Sequence, residues 1–260
     1  MSKLLNVSSS PHVRCGVSTK NLMYDVAIAM LPATIWGVMQ FGIYSLIVVV
    51  ATVLSCVLSE YLFETLMHKP VTISDGSALV TGMILGLNMP PAIPLWMPIL
   101  GGVFAIIVVK QLYGGLGQNW MNPALAARCF MLISFAQAMT KFTDPVTDAV
   151  ASATPLAAIK AGDTYDLAAM FIGKIPGTIG EVSVIALLIG AAYLLVKKVI
   201  TIRIPAAYIL SFAVFAFIFG QHNINYVLAE VCGGGLIFGA FFMATDYVTS
   251  PVSYTHLRAH

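Results

Sequence analysis

Apolar runs separated by short polar breaks dominate the chain. Eight of them stand out, near residues 22–40, 43–63, 76–88, 95–111, 124–140, 181–197, 204–220 and 226–244. A helix needs about 20 mostly apolar residues to cross a bilayer, or about 17 at the short end. The third run is too short to cross alone and ends in Asn88-Met89-Pro90-Pro91, so it reads as a broken or re-entrant helix. Irregular backbone is not tolerated against lipid, so such a segment must be covered by protein or line a cavity. The pattern predicts an all-α, polytopic membrane protein, one domain over residues 1–251 with a long polar break at 141–180.

Composition strengthens that expectation. The 260 residues are 59% hydrophobic and only 9% charged, whereas soluble domains carry about 25% charged residues. A net charge of +2, from 13 Lys+Arg against 11 Asp+Glu, is too weak and too scattered for a nucleic-acid binder. The cysteines at 15, 56, 129 and 232 form no CxxC pair and no metal-ligand spacing, and buried thiols are the plainer reading. The first 21 residues hold Lys3, Arg14 and Lys20 but no apolar signal core, which predicts a short cytoplasmic lead-in.

Basic residues then set an orientation. With the N-terminus inside and the spans alternating, Lys3, Arg14, Lys20, Lys69, Lys110, Arg128, Lys197, Lys198 and Arg203 fall on the cytoplasmic side. Lys141, Lys160 and Lys174 fall outside, in the 141–180 loop. Asp25, Glu60, Glu64, Asp75, Glu230 and Asp246 lie near span ends. Ionisable groups at membrane depth are functional candidates by default, and Glu230 reads as the most nearly embedded. Their plainer reading is interfacial placement or pairing with Lys or Arg at the same level.

Two stretches carry chemistry. Lys110 to Ala124 holds Gly114, Gly115 and Gly117 with Asn119 and Asn122 three residues apart. Glycines let backbone approach another helix or a flat ligand closely, and an apolar core makes an unsatisfied Asn costly. The pair reads either as a cap for a helix starting at Pro123 or as a polar ligand clamp. In the long loop, Asp148-Ala149-Val150-Ala151-Ser152-Ala153-Thr154-Pro155-Leu156 places small residues around a hydroxyl. By its residues alone, Thr154 before Pro155 is a helix N-cap.

These stretches, with Ser10-Pro11-His12-Val13-Arg14 before them and Met243-Ala244-Thr245-Asp246-Tyr247 after, stand in the order seen in a known family. The chain resembles the D subunit of Rnf complexes, the ion-translocating ferredoxin:NAD oxidoreductases, over essentially residues 8–251. Several motifs are shared with the B subunit of the sodium-pumping NADH:quinone reductase, which is the alternative; the short lead favours the Rnf subunit. The resemblance implies a multi-pass protein of the bacterial cytoplasmic (inner) membrane with loop 141–180 on the outer face. It implies FMN joined through its phosphate to a threonine by a flavin transferase, at a motif Asp-Gly-x-Ser/Thr-x-Ala-Thr. Thr154 matches the acceptor and Asp148 the leading acid, with Ala149 in the usual Gly place and Ala151 in the usual Ser/Thr place. It also implies a second, non-covalent flavin, riboflavin or FMN, which Asn119 and Asn122 would contact.

The implied role is electron relay coupled to cation transport, within a complex of other Rnf subunits and surrounding lipid. The chain has no iron–sulfur motif and no site for ferredoxin or NADH, so electrons would come from those partners and the chain would not be active alone. Other classes remain. Asn122-Pro123-Ala124 is the tripeptide of water and glycerol channels, but it occurs once here and is mostly a helix-start signal. A degenerate repeat between 76–91 and 233–251 would suit an inverted-repeat fold and a passive transporter. A pure scaffold would leave 148–156 unexplained. Gly82, Gly86, Gly101 and Gly102 are expected at close helix crossings. Residues 252–260 depart from the family's continuation and read as a foreign tail or a truncation.

Overall fold

A computed structural model describes residues 18–143, 150–151, 167–220, 224–233 and 235–246. Among the described residues, helices α1 (Thr19–Phe41) and α2 (Ile43–Leu66) are the two single helices long and apolar enough to cross a membrane. Gly42, at φ 84°, makes the one-residue hinge between them, a conformation that suits glycine because it has no Cβ. Five shorter apolar helices follow the remaining runs. They are α3 (Ser77–Leu87), α4 (Trp96–Val103, continuing as a π-helix over Phe104–Gln111), α5 (Pro123–Ser134), and, after the long loop, two more described below.

The predicted span at 124–140 breaks at Phe135, after which α6 (Ala136–Met139) makes one further turn. Beyond it β1 (Phe142–Thr143) pairs antiparallel with β2 (Val150–Ala151), Phe142 opposite Ala151. This two-residue ladder is the only strand pairing among the described residues, so the fold is all-α. The chain returns as α7 (Leu167–Ile172), α8 (Val184–Val196) and α9 (Arg203–Phe219). The last predicted span is bent by 67° between α10 (Ile224–Cys232) and α11 (Leu236–Phe238), which runs on as a π-helix over Gly239–Met243.

Close crossings hold the bundle together. A Cβ on Gly82 would stand 2.6 Å from Val53 Cα, and one on Gly86 3.0 Å from Val49 Cα, so α3 lies against the backbone of α2. Gly102 meets Ser55 in the same way, at 2.8 Å from its Oγ. In an apolar surrounding, helices gain from such close van der Waals packing rather than from hydrophobic exclusion. Thr34, Thr52 and Thr81 spend their hydroxyls on the carbonyls four residues back, of Met30, Val48 and Ser77. That removes a buried donor without a second helix.

The third helix is short, as its sequence predicts. It stops at Asn88, and the segment entering α8 turns back onto its end, Ile179 N donating to Met89 O at 3.1 Å and Gly180 N to Leu87 O at 2.8 Å. Those bonds satisfy backbone groups that a half-length helix leaves open. Two π-helical stretches, 104–111 and 239–243, interrupt the α-helical pattern. Stretches of this kind concentrate at functional sites.

Candidate functional site

Two half-helices, α3 and α5, begin at one cavity, lined by Ser77 and Pro123 together with Lys110, Asn119, Asn122 and Asp246. Its apolar wall comes from Phe241 and Phe242, so both π-helical stretches reach it. Gly114, Gly115 and Gly117, at φ 122°, 95° and 88°, fold the connection from Lys110 back to Asn119. Helix N-termini carry a partial positive charge and free N–H groups, and here they share the space with Lys110.

The two asparagines predicted to act together do face one cavity, and each also has a local partner. Asn122 Oδ1 accepts from Ala124 N at 3.0 Å and Leu125 N at 3.3 Å, capping α5 with Pro123 at the first position. Asn119 Nδ2 donates to Met121 O at 3.1 Å. The helix-start reading of Asn122-Pro123-Ala124 is therefore realised. Asn122→Ala is expected to cost about 1 kcal/mol through the lost cap, seen as a lower thermal midpoint of the purified protein; an unchanged midpoint would refute the assignment.

Behind the cavity lies a buried polar chain. Lys110 Nζ donates to Glu60 Oε1 at 2.6 Å and to Ser77 Oγ at 2.5 Å, and Ser77 Oγ donates on to Asp75 Oδ1 at 2.6 Å. Gln111 Nε2 bridges Glu60 (2.8 Å) and Glu64 (3.3 Å), and Glu64 in turn accepts from Thr72 N and Oγ1. Glu60 is 0% exposed and Lys110 2%. Glu60 Oε2 has no hydrogen-bond partner among the described residues. The acids of α2, rather than the half-buried Glu230, are the embedded ones; Glu230 accepts from Tyr226 Oη at 3.0 Å. Pairing with a basic residue at the same level thus describes Glu60. It also describes Asp25, which accepts from Tyr193 Oη at 2.8 Å and lies 3.8 Å from Lys197 Nζ. The α2 acids sit one helical turn apart and the apolar run before Lys110-Gln111 ends at the same depth. That spacing is the signal in the sequence for the network.

A second polar cluster has no such signal. Arg128 Nη1 donates to Asn88 Oδ1 at 2.6 Å and to Glu181 Oε1 at 2.8 Å. The orientation expected from the basic residues puts Arg128 with the inner-face cations. Its two partners are residues that the same scheme assigns to the outer turn and to the end of the outer loop. An arginine in a short helix looks like a span-end charge in sequence, and only the fold shows that its partners come from the end of α3 and the segment before α8. Thr154 and Asp148 lie outside the described residues; Thr154 follows three positions after Ala151, the β2 partner of Phe142.

The model of the NQR2, RnfD, RnfE family matches residues 6–256. The chain belongs to that family. It is 47% identical over 255 residues to the D subunit of the Na(+)-translocating ferredoxin:NAD(+) oxidoreductase complex of Acetobacterium woodii, covering 96% of this chain and 79% of that protein. It is 39% identical over 267 residues to the D subunit of the proton-translocating ferredoxin:NAD(+) oxidoreductase complex of Clostridium ljungdahlii, covering 96% and 81%. The D subunit of the ion-translocating oxidoreductase complex of Rhodobacter capsulatus is 31% identical over 283 residues, covering 94% and 79%. Within the NQR2, RnfD, RnfE family, the match over 6–256 takes in both polar clusters and the 148–156 stretch.

Proposed function

We propose that this protein is the membrane D subunit of an ion-translocating ferredoxin:NAD oxidoreductase, relaying electrons on covalent FMN and coupling that relay to cation movement. The observation that carries the reading is 47% identity to a D subunit along 96% of the chain. The named relatives differ in their ion, sodium in one and protons in another, so the proposed cargo is a monovalent cation. The other subunits of the complex supply and remove the electrons. The exposed apolar side chains of α1, α2 and α9, among them Ile35, Leu54, Leu58, Leu210 and Phe215, support a seat in lipid; the proposed setting is the bacterial cytoplasmic membrane, and the bias of the basic residues supports loop 141–180 facing outward.

Thr154 is the proposed acceptor, its hydroxyl oxygen forming the ester to the FMN phosphate under a flavin transferase. When bound, the flavin supplies one- and two-electron chemistry, and the protein contributes position and environment. A second, non-covalent riboflavin or FMN is assigned to the Asn119–Asn122 cavity. That cavity measures about 70 Å³ as it stands, so such a guest requires the Phe241–Phe242 wall to move aside. Asn119 Oδ1 and Asn122 Nδ2 are the amide atoms that remain for it.

The test is flavin fluorescence of the denatured polypeptide in a gel, after expression with a flavin transferase. A fluorescent band that disappears in Thr154→Val is the expected result. A dark band in the unsubstituted chain, with membrane insertion and transferase activity verified, overturns the covalent-flavin reading.

A further inference from the structure

Next to the ladder that leads to Thr154 is a cavity of about 190 Å³ whose polar groups are Arg128, Thr178 and Glu181 and whose wall includes Phe142. Pockets for whole drug-sized ligands run from about 300 Å³ upward, so this one is scaled to a single flat ring system. Three features make it a built site rather than a gap. Thr178 is 3% exposed, and its Oγ1 has no hydrogen-bond partner among the described residues. A buried hydroxyl left in that state is unfavourable, which a guest would relieve. Among the described residues both bonds that Arg128 makes run through Nη1, so Nε and Nη2 of the five guanidinium donors have no described partner and can meet a guest. Gly235 forms part of the wall where a Cβ would collide with Glu181 Oε1, and a Cβ on Gly177 would stand 3.0 Å from Val182 Cγ1. Glycine at these positions lets the wall close against Glu181 and Val182.

The chemistry of the edge is specific. The pyrimidine side of an isoalloxazine presents acceptor, donor, acceptor: the C2 carbonyl, N3–H and the C4 carbonyl. The cavity offers a donor in Arg128, an acceptor in the Glu181 carboxylate and a donor in the Thr178 hydroxyl. Reach is satisfied as well. Phe142 and Ala151 are ladder partners, so their Cα atoms are about 5 Å apart. Three further residues span at most about 10 Å, and the ribityl phosphate arm adds its own length.

We propose that the Arg128–Thr178–Glu181 cavity is the seat of the flavin ring carried on Thr154, held along its pyrimidine edge by these three side chains. The inference rests on the covalent-flavin reading and assigns that flavin its place. Arg128 and Thr178 bind the ring, and Glu181 both orients Arg128 and accepts from N3–H.

The experiment uses the full chain expressed with a flavin transferase and purified in detergent. In-gel fluorescence of the denatured band measures attachment, and iodide quenching of the native flavin measures docking. Thr178→Val is expected to leave attachment unchanged and to raise the undocked, iodide-accessible fraction about fivefold, the factor for one lost hydrogen bond. Arg128→Met is expected to raise it by roughly tenfold or more, because a charged donor is lost. In the Thr154→Val background, which carries no flavin, Thr178→Val is expected to hold or raise the thermal midpoint, since it removes an unpartnered hydroxyl. That arm shows that the variant folds and separates docking from scaffolding. Gln137→Ala, in the neighbouring cleft that Phe142 also borders, should not change quenching. A bright denatured band with quenching unaltered by Thr178→Val overturns the seat alone. A dark band in the unsubstituted chain overturns the acceptor reading and the seat with it.

Discussion

Lys110→Met strands the Glu60 carboxylate in the core and is expected to destabilise the protein by about 3–5 kcal/mol, the usual result of breaking a buried pair. Glu60 is 0% exposed, its Oε2 has no partner among the described residues, and Lys110 is the only cation within salt-bridge distance of it there. Gln111 Nε2, at 2.8 Å from Oε1, is a neutral donor and cannot balance the charge. The same change also takes the Nζ donor from Ser77, whose hydroxyl links on to Asp75 at the start of α3. The expected observation is a strongly lowered thermal midpoint and loss of monodisperse protein on extraction. Replacing both partners, Glu60→Met with Lys110→Met, is expected to recover most of that loss, because a buried ion pair and an apolar pair of similar volume are often close in stability. A single Lys110→Met that extracts and melts like the unsubstituted protein would show that the pair does not hold α2 to α4.

The second large effect is expected at Gly190, where α8 crosses α1. A Cβ there would collide with the backbone carbonyl oxygen of Ala29 and stand 3.0 Å from Phe242 Cζ. The first contact is with backbone, which cannot rotate away as a flexible side chain can. Overpacking of this kind costs about 1–3 kcal/mol and occasionally more, so Gly190→Leu is expected to separate the two helices and abolish stable extraction. Gly190→Ala should show a smaller loss in the same direction. Gly239 gives the contrast: it is helical, and nothing lies within 4 Å of its ideal Cβ. Gly239→Ala is expected to be neutral or to stabilise by up to about 1 kcal/mol, the helix-propensity difference. Equal midpoints for Gly190→Ala and Gly239→Ala would refute the close-crossing account.

The same contrast explains which parts of the molecule are legible in advance. All eight apolar runs form helices or helix pairs, because apolar continuity dictates hydrogen-bonded backbone wherever water is excluded. Asn88-Met89-Pro90-Pro91 stops α3 because proline supplies no N–H and restrains the residue before it. Asn122-Pro123 opens α5 because both residues suit a helix start. What hydropathy does not carry is length in register with the bilayer. The run at 226–244 bends by 67° where Gly233-Gly234-Gly235 interrupts it, but the run at 124–140 breaks at Phe135 with no charge, glycine or proline there to announce it.

By itself, the sequence determined that this is a helical membrane protein, where the helices flanked by Asn88-Met89-Pro90-Pro91 and Asn122-Pro123 stop and start, and the family to which it belongs. Those properties depend on residues near one another in the chain, or on identities accumulated along it. Only the tertiary structure decided that Lys110 meets Glu60 fifty positions away, and that Arg128 bonds to both Asn88 and Glu181. It also decided that Thr178 keeps an unpartnered hydroxyl beside them. Charged side chains look alike in a sequence whether they lie at an interface or in a core. Their roles are set by the depth at which each half-helix begins, and that depth is a property of packing between helices.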